Sequence, residues 1–141
     1  INLVLLAIVL VIFKQVPSWN LFLVIPFAWV VSVISATGIG LFLSALNVKY
    51  RDVRYALPFF IQSLIFVSPV IYGTNMVRDS NKLIMAINPM TGVIEAVRVS
   101  VAGSANFNWQ LITISVVSSL LVFLFGIFYF NKTERFFADI I

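Results

Sequence analysis

The residues of this sequence best equipped for chemistry stand in three places. The densest is Lys49-Tyr50-Arg51-Asp52-Val53-Arg54, four charges in six residues with Asn47 just before them. Arg51 and Arg54 bring planar, multi-donor heads suited to the carboxylates or carbonyls of a partner. Charge at this density must lie outside hydrocarbon. Loop basicity that merely sets orientation would explain the bases, but it leaves Tyr50 and Asp52 without a role. The second place is an amide within an aromatic run: Phe59, Gln62, Ser63 and Phe66 share one helical face by their i, i+3, i+4 spacing. An amide in an apolar helix needs a partner or water, so this face either bonds a neighbouring helix or lines a wet pathway. The third is Glu95 and Arg98, spaced i, i+3. They either pair on one helical face or sit solvated at a lipid surface.

Much chemistry is excluded. With no Cys and no His in the chain, disulfides, thiolate nucleophiles, zinc sites, imidazole bases and His-ligated haem are absent, and no metal site is expected. The six glycines (38, 40, 73, 92, 103 and 126) form neither a G-x-x-x-x-G-K-[ST] nor a G-x-G-x-x-G pattern, so no nucleotide cradle is encoded. Of the five acids (Asp52, Asp79, Glu95, Glu134 and Asp139) only Glu95 falls near an apolar segment. A membrane enzyme acting on lipid-linked sugars, which would use several acids or histidines on one side, is therefore the weaker alternative. The net charge of +4 reads as loop basicity in a membrane chain and not as a nucleic-acid surface.

The elements that must position these residues follow from composition. The 141 residues are 62% hydrophobic and 10% charged, against about 45–50% and about 25% in soluble domains, and the mean hydropathy is +1.10. One small core cannot hide that much apolar mass. The expectation is an all-α integral membrane bundle of about three spans plus a truncated first one, forming a single domain. Residues 1–13 lack charge but cover only about 20 Å at ~1.5 Å per residue, which reads as a partial span in a chain that is a piece of a longer one. Residues 19–46 give a full span after the Pro17-Ser18 turn. On it Ala28, Ser32, Ala36, Gly40 and Ser44 recur every fourth residue, a small-residue row that lets helices approach closely in lipid, either within the chain or between subunits. Residues 49–54 are a short charged loop and 55–72 a span between Pro58 and Pro69. The stretch 73–108 is loop chemistry followed by two short helices broken at Asn88-Pro89, neither long enough to cross, expected to dip into the membrane and return. Residues 109–130 are the clearest span, bounded by Trp109 and Tyr129, and 131–141 form a charged tail along the surface. Five bases packed into 49–54 and the tail place those two segments in the cytoplasm, and 73–108 outside.

The stretch from Gly40 through Asn47-Val-Lys-Tyr-Arg-Asp-Val-Arg-Tyr55, then Ala-Leu-Pro-Phe-Phe-Ile-Gln62 and Ser68-Pro-Val-Ile-Tyr72, resembles the permease subunit of ABC-2 type polysaccharide exporters, the group that moves O-antigen, capsule or teichoic acid polymers. Asn88-Pro-Met-Thr-Gly-Val-Ile-Glu-Ala-Val-Arg98, Tyr129-Phe130 and Thr133-Glu-Arg-Phe-Phe-Ala-Asp139 follow in the same order, so the likeness covers about residues 38–141. It implies the C-terminal half of a six-span permease in the inner membrane, a homodimer working with two cytoplasmic ATPase subunits that bind ATP and Mg2+. This chain itself would bind no cofactor. By the resemblance, Asn47, Tyr50, Arg51, Asp52 and Arg54 dock on the ATPase. Phe59, Gln62, Ser63, Phe66 and Tyr72 line the channel, and Asn88, Pro89, Glu95 and Arg98 belong to external gate helices. The substrate would be a polysaccharide or lipid-linked glycan. An ABC-2 permease for a drug or small lipid is the alternative the pattern also admits.

Overall fold

The computed structural model describes residues 12, 19–50, 52–70, 77–103 and 106–138. The helices are α1 (Leu21–Lys49), α2 (Val53–Val67), α3 (Asp79–Ala86), α4 (Pro89–Val101) and α5 (Trp109–Ala138), with no strand among the described residues. An apolar run with no water to bond its amides must close them within itself, which is why these segments are helical. α1 has 29 residues and α5 carries an apolar stretch of 26, Trp109–Glu134. At ~1.5 Å per residue each exceeds a hydrocarbon core of about 30 Å. The expected span 55–72 is realised as the 15-residue α2, about 22 Å long and short of a full crossing; residues 71 and 72 lie outside the described set, as does the expected partial span 1–13 apart from Ile12.

α1 and α5 run parallel, side by side. Phe42 packs its ring on Phe125 and Tyr129 at centroid distances of 5.5 and 5.1 Å, while further along both helices Ala45 and Val48 meet Phe130 and Thr133. The buried residues of α1 are Val31, Ser35, Gly38 and Ala45, and on α5 Ile112, Ser115, Ser119 and Gly126 are buried. Those alternating steps of three and four form the seam of helices crossing at a shallow angle. Its tightest point is a pair of glycines. A Cβ on Gly38 would lie 2.6 Å from the Phe123 Cα, and one on Gly126 would collide with the Gly38 carbonyl.

The small-residue row is not this seam. Ala36, Gly40 and Ser44 are exposed, and a Cβ on Gly40 would meet nothing within 4 Å. Ala28 and Ser32 are half-buried, with Ser32 Oγ 3.9 Å from Met90 Sδ. The reason is geometric: each four-residue step turns the helix about 40° past a full turn, so five such residues wind through about 160°. The row starts beside α4, and Ser44 at its end lines a shallow groove against Phe130, Thr133 and Glu134 of α5.

Because α1 and α5 are parallel, the chain between them must return to its starting end. α2 makes the first part of that return, and α4, running from beside Ser115 towards Trp109, completes it. Asn88-Pro89 separates the two short helices as expected: Pro89 opens α4 at its first turn, and the Asn88 side chain caps it by accepting from Met90 N at 3.0 Å. α4 ends at Ala102-Gly103, where Gly103 takes a φ of 70° that a side chain would resist. At the other end of the chain, 131–138 does not separate as a surface tail. It continues α5, since nothing after Phe130 breaks a helix and Lys, Glu and Arg favour one. Thr133 Oγ1 bonds back to Tyr129 O at 2.9 Å.

Candidate functional site

Three arrangements position the chemically able residues. The first is the charged turn. α1 ends where Tyr50 goes extended, and α2 begins at Val53, so the loop is shorter than the charge pattern. Tyr50 O accepts from Val53 N at 3.2 Å and Asp52 O from Tyr55 N at 3.1 Å. Lys49 Nζ stands 5.3 Å from the Tyr50 ring centroid, a cation over an aromatic face. Tyr50, Asp52 and Arg54 are exposed, and Arg51 lies outside the described residues. Asn47 sits in the last turn of α1, half-buried, its Oδ1 enclosed without a hydrogen-bond partner. The turn thus offers a cation, an anion and an aromatic ring to a partner.

The second is the outer face of α2, a helix with no buried residue. Tyr55, Phe59, Gln62 and Phe66 follow at steps of four, three and four along it. Tyr55 is 84% exposed, Phe59 77% and Phe66 73%, and Gln62 is exposed beside them. Ser63 turns inward and bonds to Phe59 O at 2.9 Å, so its hydroxyl is spent on its own helix. Tyr72 lies outside the described residues. Tyr55 extends this stripe, and its i−4 spacing from Phe59 was the signal that could have included it.

The third is the junction at the α3–α4 break, where three elements meet. A helix break leaves carbonyls without intrahelical donors, and here α5 supplies them. Ser115 Oγ lies 3.2 Å from Ala86 O and 3.4 Å from Asn88 O, and it accepts from Gly92 N at 2.8 Å. Ser118 Oγ donates to Ile87 O. Close approach is possible because Gly92 has no side chain: a Cβ there would stand 2.8 Å from Ile112 Cα. On the other side, the end of α2 docks onto α4. Asn88 Nδ2 donates to Ser68 Oγ at 3.0 Å and reaches Val67 O at 3.5 Å, and Arg98 Nη2 donates to Pro69 O at 3.0 Å. Glu95 is buried, 8% exposed, with Oε2 3.6 Å from Arg98 Nη1. Pairing on one face is therefore the alternative the structure realises for Glu95 and Arg98. Sequence reasoning singled out neither the α5 serines nor Pro69 as partners; a polar residue in an otherwise apolar helix, opposite a predicted break, was the available signal.

Between the N-terminal halves of α1 and α5 lies an open groove of about 680 Å³, apolar apart from Asn20 and Thr113. It gathers no convergent set of acids or bases, and no cluster of potential metal ligands occurs among the described residues.

The two ends of the bundle differ. Trp19 and Trp109, both exposed, mark one end, and Lys49, Arg54, Lys132 and Glu134 mark the other. Tryptophan at one rim, charge at the other and two long apolar helices between them define a helical membrane protein. Within that class, a family model described as ABC-2 type transporter matches residues 1–102, and the chain belongs to that family. Two relatives from Klebsiella pneumoniae, each named O-antigen export system permease protein RfbA, are 24% and 25% identical to it over 132 residues. These alignments cover 94% of this chain and 51% of each relative, so the chain spans about half the length of the curated relatives it matches.

Proposed function

We propose that this chain is the C-terminal part of the permease subunit of an ABC exporter, and that it carries a polysaccharide or lipid-linked glycan outward across the cytoplasmic membrane. ATP is bound and hydrolysed, with Mg2+, in a partner ATPase subunit, and the permease works as a homodimer in the inner membrane. The charged turn faces the cytoplasm and meets the ATPase; the Trp19 and Trp109 end faces outward. Both Klebsiella relatives are named as O-antigen export permeases, which supports a glycan over a drug or small lipid.

α2 carries this reading. It leaves the charged turn directly, buries no residue, and turns outward a stripe of three aromatics and one amide. Such a face suits a sugar polymer, which must slide: rings stack weakly on sugar faces and Gln62 exchanges hydrogen bonds with hydroxyls, whereas a strong ionic site would trap the chain. The depth of the junction supports gate helices set into the membrane. Ser115 and Ser118, which hold the break, lie six and nine residues inside α5 from Trp109, about 9–14 Å along its axis. Non-helical backbone at that depth survives only against protein or water, and here Ser115 and Ser118 bond the Ala86 and Ile87 carbonyls while Asn88 O accepts from Thr91 N.

The test is reconstitution of the full permease with its ATPase in proteoliposomes loaded with lipid-linked glycan. Transfer of glycan across the bilayer on addition of ATP is the expected result. ATP-driven movement of a small lipid or dye without movement of glycan would give the substrate assignment to the other ABC-2 class. Turnover of the glycan without any ATPase would make the chain an enzyme and overturn the proposal.

A further inference from the structure

We infer that Asn88 and Arg98 form a clasp that ties the end of α2 to α4, so that displacement of α2 moves the α3–α4 pair. The inference rests on the transport reading above and names the residues that pass motion between the charged turn and the short helices. α2 stops at Ser68 because Pro69 has no N–H to continue the ladder and biases the residue before it towards extended backbone; Ser68 has φ −87° and ψ 138°. The carbonyls of Val67 and Pro69 therefore need donors from elsewhere, and the donors come from α4. The two side chains do more than fill valences. Asn88 is bifunctional: Oδ1 caps α4 at Met90 N while Nδ2 holds Ser68 Oγ, so one amide begins one helix and grips the end of another. Arg98 lies ten residues further along, and its long side chain reaches Pro69 O, as helical side chains lean towards the N-terminus.

Glu95 makes Arg98 a positioning residue. Its carboxylate, three residues back along α4, holds the guanidinium by charge, and both Glu95 Oε2 and Arg98 Nη1 are enclosed atoms without other hydrogen-bond partners. The pair is apart by 3.6 Å, longer than a hydrogen bond, because the guanidinium is drawn to the Pro69 carbonyl. On the far side of the same break, Ser115 and Ser118 fasten the α3–α4 connection to α5. The break is thus held between a long helix of the bundle core and a rod that buries no side chain. A rod attached through its ends moves with little loss of packing, and what it grips moves with it.

These 141 residues contain no cysteine, so once any cysteines elsewhere in the permease and its ATPase are replaced, the complex permits a reversible test. Arg98→Gln keeps the ATPase bound and hydrolysing, while glycan exported per ATP falls by about tenfold, the scale of one lost charge-assisted hydrogen bond in a part-buried site. In the triple variant Ser68→Cys, Asn88→Cys, Arg98→Gln, a short bis-methanethiosulfonate, which joins each cysteine through a disulfide with loss of methanesulfinate, restores export, and reductant cleaves the disulfides and removes it again. Export per ATP equal to the unmodified complex in Arg98→Gln overturns the clasp, as does a cross-linked triple variant that stays inactive. If Arg98→Gln fails to accumulate in the membrane, Arg98→Lys is measured instead. That side chain keeps a cation and one donor, and the expected export per ATP is intermediate; a value equal to the unmodified complex overturns the clasp. An unmodified complex that hydrolyses ATP but exports no glycan overturns the transport reading and this inference together. Normal export by both the unmodified and Arg98→Gln complexes overturns this inference alone.

Discussion

Replacing Gly38 by alanine places a methyl group 2.6 Å from Phe123 Cα, 2.8 Å from Phe123 N and 2.9 Å from the Val122 carbonyl carbon. All three are backbone atoms of α5, so no side-chain rotation makes room, and the seam must open. Moving from 2.6 Å to an ordinary contact of about 3.5 Å widens it by roughly 1 Å, a gap that forfeits a quarter to a half of each dispersion contact along it. Overpacking of a tight interior costs about 1–3 kcal/mol, and rigid partners put this site in the upper half, about 2–3 kcal/mol. The control lies two residues away. A Cβ on Gly40 meets nothing within 4 Å, and Gly40→Ala gains the same helix propensity, at most about 1 kcal/mol, so propensity cancels between the two variants. The expected difference in unfolding free energy is therefore about 2–3 kcal/mol, or roughly 30- to 150-fold in the equilibrium. Denaturant unfolding of the full permease in detergent measures it. Gly38→Ala and Gly40→Ala agreeing within about 0.5 kcal/mol, the scatter of a surface change, would refute the glycine seam.

Ser115→Ala strands Ala86 O and takes the side-chain acceptor from Gly92 N, and is expected to destabilise the permease by about 1–3 kcal/mol. Ser119→Ala removes a buried hydroxyl that has no partner, so in the same unfolding assay it stays within about 0.5 kcal/mol of the parent or gains stability. Arg54→Glu reverses an exposed charge at the start of α2 and is expected to abolish export while the protein remains in the membrane; normal ATPase co-purification together with normal export would remove the turn from the ATPase interface. Phe59→Ala with Phe66→Ala strips two rings from an exposed face without opening a core, so membrane levels hold and the export rate of glycan falls, as measured in proteoliposomes.

Much of this fold was legible because hydrocarbon leaves few options. The charge-free run before Lys49 and the run after Trp109 had to be helices, and Asn88-Pro89 carried its own cap and first-turn signal. The lengths were less legible. Pro69 ended α2 at Val67, earlier than the apolar pattern to Tyr72, while residues 131–138, read as a separate tail from their charges, kept to the α5 helix. The small-residue row is not the seam between α1 and α5, for a physical reason. Ala28, Ser32, Ala36, Gly40 and Ser44 are regular in sequence, but a repeat of four drifts round the cylinder, and the seam that packs follows Val31, Ser35, Gly38 and Ala45 at an average step nearer 3.5. Within the site, the Glu95 and Arg98 pairing was readable from spacing. The grip of Arg98 on Pro69 was not, since it depends on how far α2 rises before it stops.

That rise explains why the serines of α5 sit where they do. α1 and α5 are parallel, so α2 starts near the level of Thr133, beside the end of α1. Fifteen residues of α2 climb about as far as fifteen residues of α5 descend, which brings its end to the level of Ser118. The chain then has to turn at a depth where water does not reach its carbonyls, and an unbonded amide group there costs several kcal/mol. Two requirements meet at one height: α2 needs donors for Val67 and Pro69, and the α3–α4 break needs donors for Ala86 and Ile87. Asn88 and Arg98 answer the first, and Ser115 and Ser118 the second. Lengthening α2 by one turn would lift its end about 5 Å past these donors. An insertion of four residues after Leu64 therefore takes Val67 O, Ser68 Oγ and Pro69 O off Asn88 and Arg98 at once, and its effect on stability should exceed that of Ser115→Ala alone. A four-residue insertion no worse than Ser115→Ala would show that the level of α2 does not set the junction.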